Sequence, residues 1–277
     1  MKTIKLLTLL IAISVFTSCE KDQVSESVAE TAEKPSDGIS KQVRDKVADL
    51  HFNSKHVEKN KMLLPDGSFT ENYLIEGDIA MTAEQMQTMS SVSVTDKQYR
   101  TYNLVSTPRT VNVIGYTGGS QALTTKQRTA LQWTIDNYNA LNLGITFTVT
   151  FGTNYTPYDI VVYQNQNGQA GGVAGFPSNG NPYKYVQIFS GMEAYSTNTN
   201  EHVITHEIGH SVGLRHTDWF SRESCGQSGE SADPDGAVHI PGTPTGYDAT
   251  SVMLACFGAN EDGEFGANDE TALNYLY

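Results

Sequence analysis

Apolar and polar positions alternate over residues 110–116, as they do along a half-buried strand. Short apolar runs at 145–151, 159–163, 171–177 and 185–189 predict four more strands. After the first of these, Leu131, Ile135, Tyr138 and Asn142 fall on one helical face, with Leu141 beside them. That spacing predicts a helix from a cap at Thr124 or Thr125 to about residue 142, stopped by Gly144. A second helix is expected over 201–214, and a third, capped by Asn268, runs to about 276. Strand, helix, several strands and helix in that order predict an α/β (α+β) fold, a mixed sheet with helices packed on it. Residues 217–250 read as one long irregular loop, and a loop of that length inside a packed domain usually serves function.

The pattern before residue 100 is weaker. Val43, Val47 and Leu50 fit a short helix, and residues 73–79 read as a strand broken by a turn at Glu76-Gly77-Asp78. No strong core pattern is visible over 38–99. Residues 20–37 hold almost no large apolar side chain and read as a tether. The start differs again: Lys2 and Lys5, an apolar run from Leu6 to Phe16, then Thr17-Ser18-Cys19. This is the layout of an export signal, and it resembles a bacterial lipoprotein signal with Cys19 as the lipidated residue. A retained transmembrane anchor is the alternative, against which the run is short. The expected division is therefore a signal over 1–19, a tether and pro-segment over 20–99, and a catalytic domain over 100–277. Localisation follows as exported and lipid-anchored at an envelope or cell surface, with the membrane as a partner through Cys19.

Charge narrows the partners. The formal net charge is −13, which repels phosphate backbones and argues against nucleic acid. Past Cys19 the chain has two cysteines, Cys225 and Cys256. Export favours one disulfide between them over two free thiols.

The chemistry concentrates in His206-Glu207-Ile208-Gly209-His210-Ser211-Val212-Gly213-Leu214-Arg215-His216. On a helix His206 and His210 share one face, while Ile204, Ile208 and Val212 point the other way into a core. Gly213 tolerates the left-handed conformation that ends a helix, so the chain can turn and return His216 to the same point. Three imidazoles with one open position make a catalytic zinc site rather than a structural one. Glu207, beside the first ligand, is the expected general base toward water activated by zinc. A helix with solvated or core histidines is the bland reading of the same residues, and five fixed positions weigh against it.

HExxHxxGxxH is the metzincin motif, which continues into a methionine turn beneath the metal. Ser251-Val252-Met253 is the matching segment, so Met253 is expected under the site, with ordinary core filling as the alternative. Residues 73–277 resemble more narrowly the dual-action HEIGH metallopeptidases of exported bacterial proteins. The match lies in HEIGH itself, in Glu76-Gly77-Asp78, and in His239-Ile240-Pro241-Gly242-Thr243-Pro244. The resemblance implies a twisted five-stranded sheet, zinc, and an edge strand that pairs with extended polypeptide substrate. Residues 171–177 are the expected edge. Glu76-Gly77-Asp78 is also similar to the aspartate switch of astacin pro-segments, which implies Asp78 as a zinc ligand in a latent precursor. Ile75 stands where that motif usually begins with an aromatic. A turn aspartate without metal is the alternative. Ala255 departs from the astacin pattern at the position of a tyrosine, so no tyrosine role is assigned, Tyr247 included.

Other residues near the motif draw weaker expectations. Asp218 is a candidate to orient His216. His202 and His239 read as surface or supporting histidines rather than ligands, and His51 and His56 as solvated. Asp233, Asp235, Asp262 and Asp269 are the residues that calcium would use, without the spacing of a calcium loop. An endopeptidase is the leading function. A surface lipoprotein binding module with a vestigial zinc site is the alternative from another class, and an aminopeptidase or a lipid- or glycan-directed hydrolase is a third.

Overall fold

The computed structural model describes residues 38–89, 100–219, 221–227 and 239–277. All of these belong to one unit, Pro35–Tyr277. Cys19, the tether, Lys97, Asp233 and Asp235 lie outside the described residues.

The region before residue 100 has more structure than its pattern suggested. Ser40 caps α1 (Lys41–Asp49), accepting from the Val43 amide. Strands β1 (Val57–Leu63), β2 (Phe69–Ile75) and β3 (Ile79–Met81) then form an antiparallel sheet in the order β1-β2-β3. A capping box between Thr82 and Gln85 opens α2 (Ala83–Thr88). Ile39, Val47, Phe52, Val57, Ile75, Ile79, Met81 and Met86 bury together, with Phe176 added from far along the chain. The core pattern was invisible in the sequence because each strand here contributes only a few buried residues. The burial of Ile79, Ala80 and Met81 in a row also hides the period of two.

The larger sheet has five strands: β4 (Arg109–Tyr116), β5 (Ile145–Gly152), β6 (Ile160–Asn165), β7 (Gly172–Val173) and β8 (Tyr185–Phe189). Their order is β5-β4-β6-β8-β7. All neighbouring pairs are parallel except β7 with β8. The mixed five-stranded fold expected from the sequence is therefore present, with the 171–177 edge shortened to two paired residues.

Helix α3 (Thr125–Ala140) starts from a capping box of Thr124 with Gln127. Its Leu131, Ile135 and Tyr138 pack with Val203, Ile204 and Ile208 of α4 (Thr197–Val212) over Val111, Val113, Ile160, Val162, Val186 and Ile188 of the sheet. Ile114, Val161 and Tyr163 face the opposite side, as strand alternation requires. Helix α4 begins four residues before the expected 201, because Ser196 accepts from the Thr199 amide. Helix α5 (Ala267–Leu276) is capped at Gly266, not at Asn268. Asn268 instead donates to Asp248, and Asp269 accepts from the Gly266 amide.

A candidate metal centre and active site

Helix α4 places His206 and His210 one turn apart, and Gly213 ends it at φ 115°, a left-handed conformation suited to glycine. The chain then turns and brings His216 back: the Nε2 atoms of His210 and His216 are 3.3 Å apart. Gly209 has no room for a side chain, since a Cβ there would lie 2.5 Å from the Met253 sulfur. The glycine of HEIGH and the buried Met253 below it are thus one packing unit. Ser251 to Met253 lie beneath the histidines, with Val252 O meeting His206 and the Met253 sulfur packed against Gly209. Asp269 holds this segment by accepting from Ser251 Oγ at 2.6 Å and from the Val252 amide at 2.9 Å.

Each histidine is oriented through Nδ1. His206 donates to Val252 O at 2.9 Å, His210 to Leu214 O at 2.8 Å and His216 to Glu76 Oε2 at 2.9 Å. Carbonyl and carboxylate oxygens accept only, so the Nε2 atoms are left with lone pairs. Those lone pairs meet a fourth acceptor, Asp78, whose Oδ2 lies 2.9 Å from His216 Nε2 and 3.6 Å from His206 Nε2. One ligand atom from each of Asp78, His206, His210 and His216 falls within 4.8 Å of all the others, and among the described residues no other such cluster occurs. His206 Nε2 and Asp78 Oδ1 are buried without a hydrogen-bond partner. This convergence could hold a cation, and three imidazoles with one carboxylate suit zinc.

With no metal present, a proton on His216 takes the place of the cation between that ring and Asp78. Burial disfavours a charged His216, but Asp78 and Glu76 on its two nitrogens outweigh that and push its pKa up to about 10. Burial, then His206 and His216, hold His210 well below the ordinary range. Burial opposes ionisation of Asp78, yet His216 outweighs it and lowers the carboxyl. Burial first, then the charge of Asp78, raises Glu207 well above an ordinary carboxylate. Glu207 Oε2 has no partner. Its Cγ and Oε1 lie so close to the edge strand that a Cβ on Gly172 would meet them at 2.7 and 2.8 Å.

A cleft of about 340 Å³ opens beside this cluster, with Gly172, Phe189, His202, Glu207, Leu254 and Phe257 among its walls. On the β7 side, Ala174 O accepts from the Ala80 amide and the Ala174 amide donates to Asp78 O. The region before residue 100 therefore pairs with the backbone at this edge.

Asp218 does not orient His216. Its Oδ1 accepts from the Ala255 amide and its Oδ2 from Ser224, so it ties the loop after His216 to the segment after Met253. Nearness in sequence was a poor guide, and the carboxylate that meets His216 at Nδ1 is Glu76, which carried no periodic signal. Cys225 and Cys256 lie with sulfurs 2.15 Å apart, pairing the same two segments. His202 donates Nδ1 to Asp262 O and His239 contacts Thr243 O, and neither joins the cluster. His56 is exposed and His51 half-buried, and only their main-chain carbonyls take part in this region, accepting from the Glu76 amide and from Arg215. Asp262 and Asp269 serve the α4 and α5 regions by separate contacts rather than converging on one point.

Two histidines on α4, a third returned after Gly213 and a buried carboxylate beside them mark a zinc-dependent peptidase of the metzincin class. The family model for dual-action HEIGH metallopeptidases matches residues 73–277, and the chain belongs to that family. No curated protein matches it. Two solved structures of myroilysin are similar: one is 14% identical, with a TM-score of 0.41, covering 63% of this chain and 82% of that one. The other is 15% identical, with a TM-score of 0.42, covering 64% and 86%.

Proposed function

We propose that the protein is a zinc endopeptidase made as a latent precursor. His206, His210 and His216 are its resident ligands, Glu207 its general base, and Asp78 the ligand that blocks it. The observation that carries this reading is the convergence of the four ligand atoms within 4.8 Å beside Glu207. Zinc bound there supplies a Lewis acid for the scissile carbonyl and a lowered pKa for water. Glu207 takes the proton of the attacking water on its unpaired oxygen and passes it to the departing amine nitrogen.

Extended polypeptide is the proposed substrate. Ala174 at the sheet edge offers both backbone groups, and the Asp78–Ala80 backbone now takes them. Occupation of the edge together with the metal position supports latency, with residues 20–99 as the removable part. Export and lipid anchoring through Cys19 rest on the sequence pattern. Calcium is given no role.

A peptide-library digest tests the reading, using the full-length protein, its Asp78→Ala and Glu207→Ala variants, and a chelated control. Asp78→Ala should cut internal bonds faster than the parent. Adding Glu207→Ala to the Asp78→Ala chain should keep the zinc yet lose about 10²–10⁴-fold in rate relative to Asp78→Ala alone. Unchanged cleavage by that double variant would end the proposed mechanism.

A further inference from the structure

His206 and His210 take their Nδ1 partners from main-chain carbonyls within the region that follows residue 100. His216 takes its partner from outside that region. Glu76 meets Nδ1 and Asp78 meets Nε2, each at 2.9 Å, so one tripeptide grips both nitrogens of a single imidazole. The grip depends on a sharp reversal, with Glu76 at φ 59° and Gly77 at φ 102°. A left-handed glutamate is uncommon and persists only where its surroundings hold it. Here the Asn53 amide donates to Oε1 at 3.0 Å, and the Glu76 amide donates to His56 O at 2.9 Å. Arg222 Nη2 donates to Glu76 O at 3.3 Å, and Arg215 Nη2 stands 3.9 Å from Oε1. The Glu76 side chain is 1% exposed, which is costly for a carboxylate unless charge partners and hydrogen bonds hold it there. Asp218 cannot take its place, because both its oxygens already accept elsewhere.

We propose that Glu76 is a positioning residue for the metal site. By holding Nδ1–H of His216 it fixes the ring's tautomer and orientation and raises the basicity of Nε2. The segment that carries Asp78 thus does two separable things: it blocks the fourth position, and it completes the third ligand. This rests on the zinc reading above. Its consequence is that the full chain holds zinc more tightly than the Asp78 ligand alone explains.

The test uses full-length chain carrying Glu207→Ala and Asp78→Ala, which neither cuts itself nor offers the aspartate ligand. Zinc affinity is measured by competition with a chromophoric chelator for Glu76, Glu76→Gln and Glu76→Ala in that background. The Nδ1–H resonance of His216 is followed by NMR. Glu76→Ala should weaken zinc by about 10- to 100-fold. Glu76→Gln, which keeps an acceptor but not the charge, should fall between and shift the resonance. If Glu76→Ala does not fold by circular dichroism, Glu76→Gln is read alone, and a several-fold loss supports the proposal. Equal affinities in the folded variants would overturn it, even if their unfolding midpoints differ. If the background chain with Glu76 intact binds no zinc, the zinc reading fails instead.

Discussion

Two regions approach the same three histidines by different means. The α4 side holds His206 and His210 from below with main-chain carbonyls, Val252 O and Leu214 O, over a turn locked by Asp269. The Glu76-Gly77-Asp78 side holds His216 from across the cleft with two carboxylates. Main-chain anchors are fixed by the fold, since a carbonyl cannot leave without unmaking its element. Side-chain anchors on a turn can leave together with their segment. On the proposed latency, the contrast separates a permanent half of the metal site from a removable one.

The permanent half breaks most severely at its ligands. His210→Ala should weaken zinc binding by more than the about 100-fold that outer-shell changes reach. Chelator competition on the full chain measures this, and near-parent affinity would exclude His210 as a ligand. The next effect lies where the loop after His216 is tied to the segment after Met253. Replacing Cys225 and Cys256 by serine should lower unfolding stability by about 2–4 kcal/mol, read from urea denaturation. No change would mean the pair contributes nothing to the loop.

Asp269 gives a pH-dependent way to loosen the methionine turn. Burial lifts its carboxyl to about 6, against the lowering effect of Ser251 and the Val252 and Gly266 amides. The folded pKa thus lies above the ordinary aspartate value of 3.8, and the native state binds this proton more tightly than the unfolded chain. Its stabilising contribution is complete below about pH 4 and is lost as pH rises through about 6, a change on the order of 3 kcal/mol. Asp269→Asn should flatten the fall in stability between pH 4 and 7. An unchanged slope would show that other groups set it. The smallest effect sharpens the removable half: Asp78→Ala should raise precursor cleavage by at least about tenfold, because an open fourth position is what a catalytic site needs. Equal rates for Asp78→Ala and its parent would leave the segment without a blocking role.

The permanent half was also the legible half. Fixed spacing on one helix specifies His206, Glu207 and His210, and the glycine at 213 signals the return of His216. The sheet was legible because β4 alternates exposed and buried residues from Thr110 to Val113, and because turns separate the later runs. The segment before residue 100 was not, since its core draws on Phe176 and on strands as short as Ile79–Met81. Asp78 could be named from the turn it sits in. Glu76 could not, because its role depends on a left-handed turn and on a histidine 140 residues away. Asp218 showed the opposite error, adjacent in sequence and committed elsewhere in space.

X-ray absorption at the zinc edge, on full-length protein and on Asp78→Ala, tests the four-ligand site most directly. The account predicts three imidazole nitrogens at about 2.0–2.1 Å in both. It also predicts one carboxylate oxygen at about 2.0–2.2 Å in the parent, replaced by water in the variant. Fewer than three imidazoles in either protein, or identical spectra from the two, would contradict it.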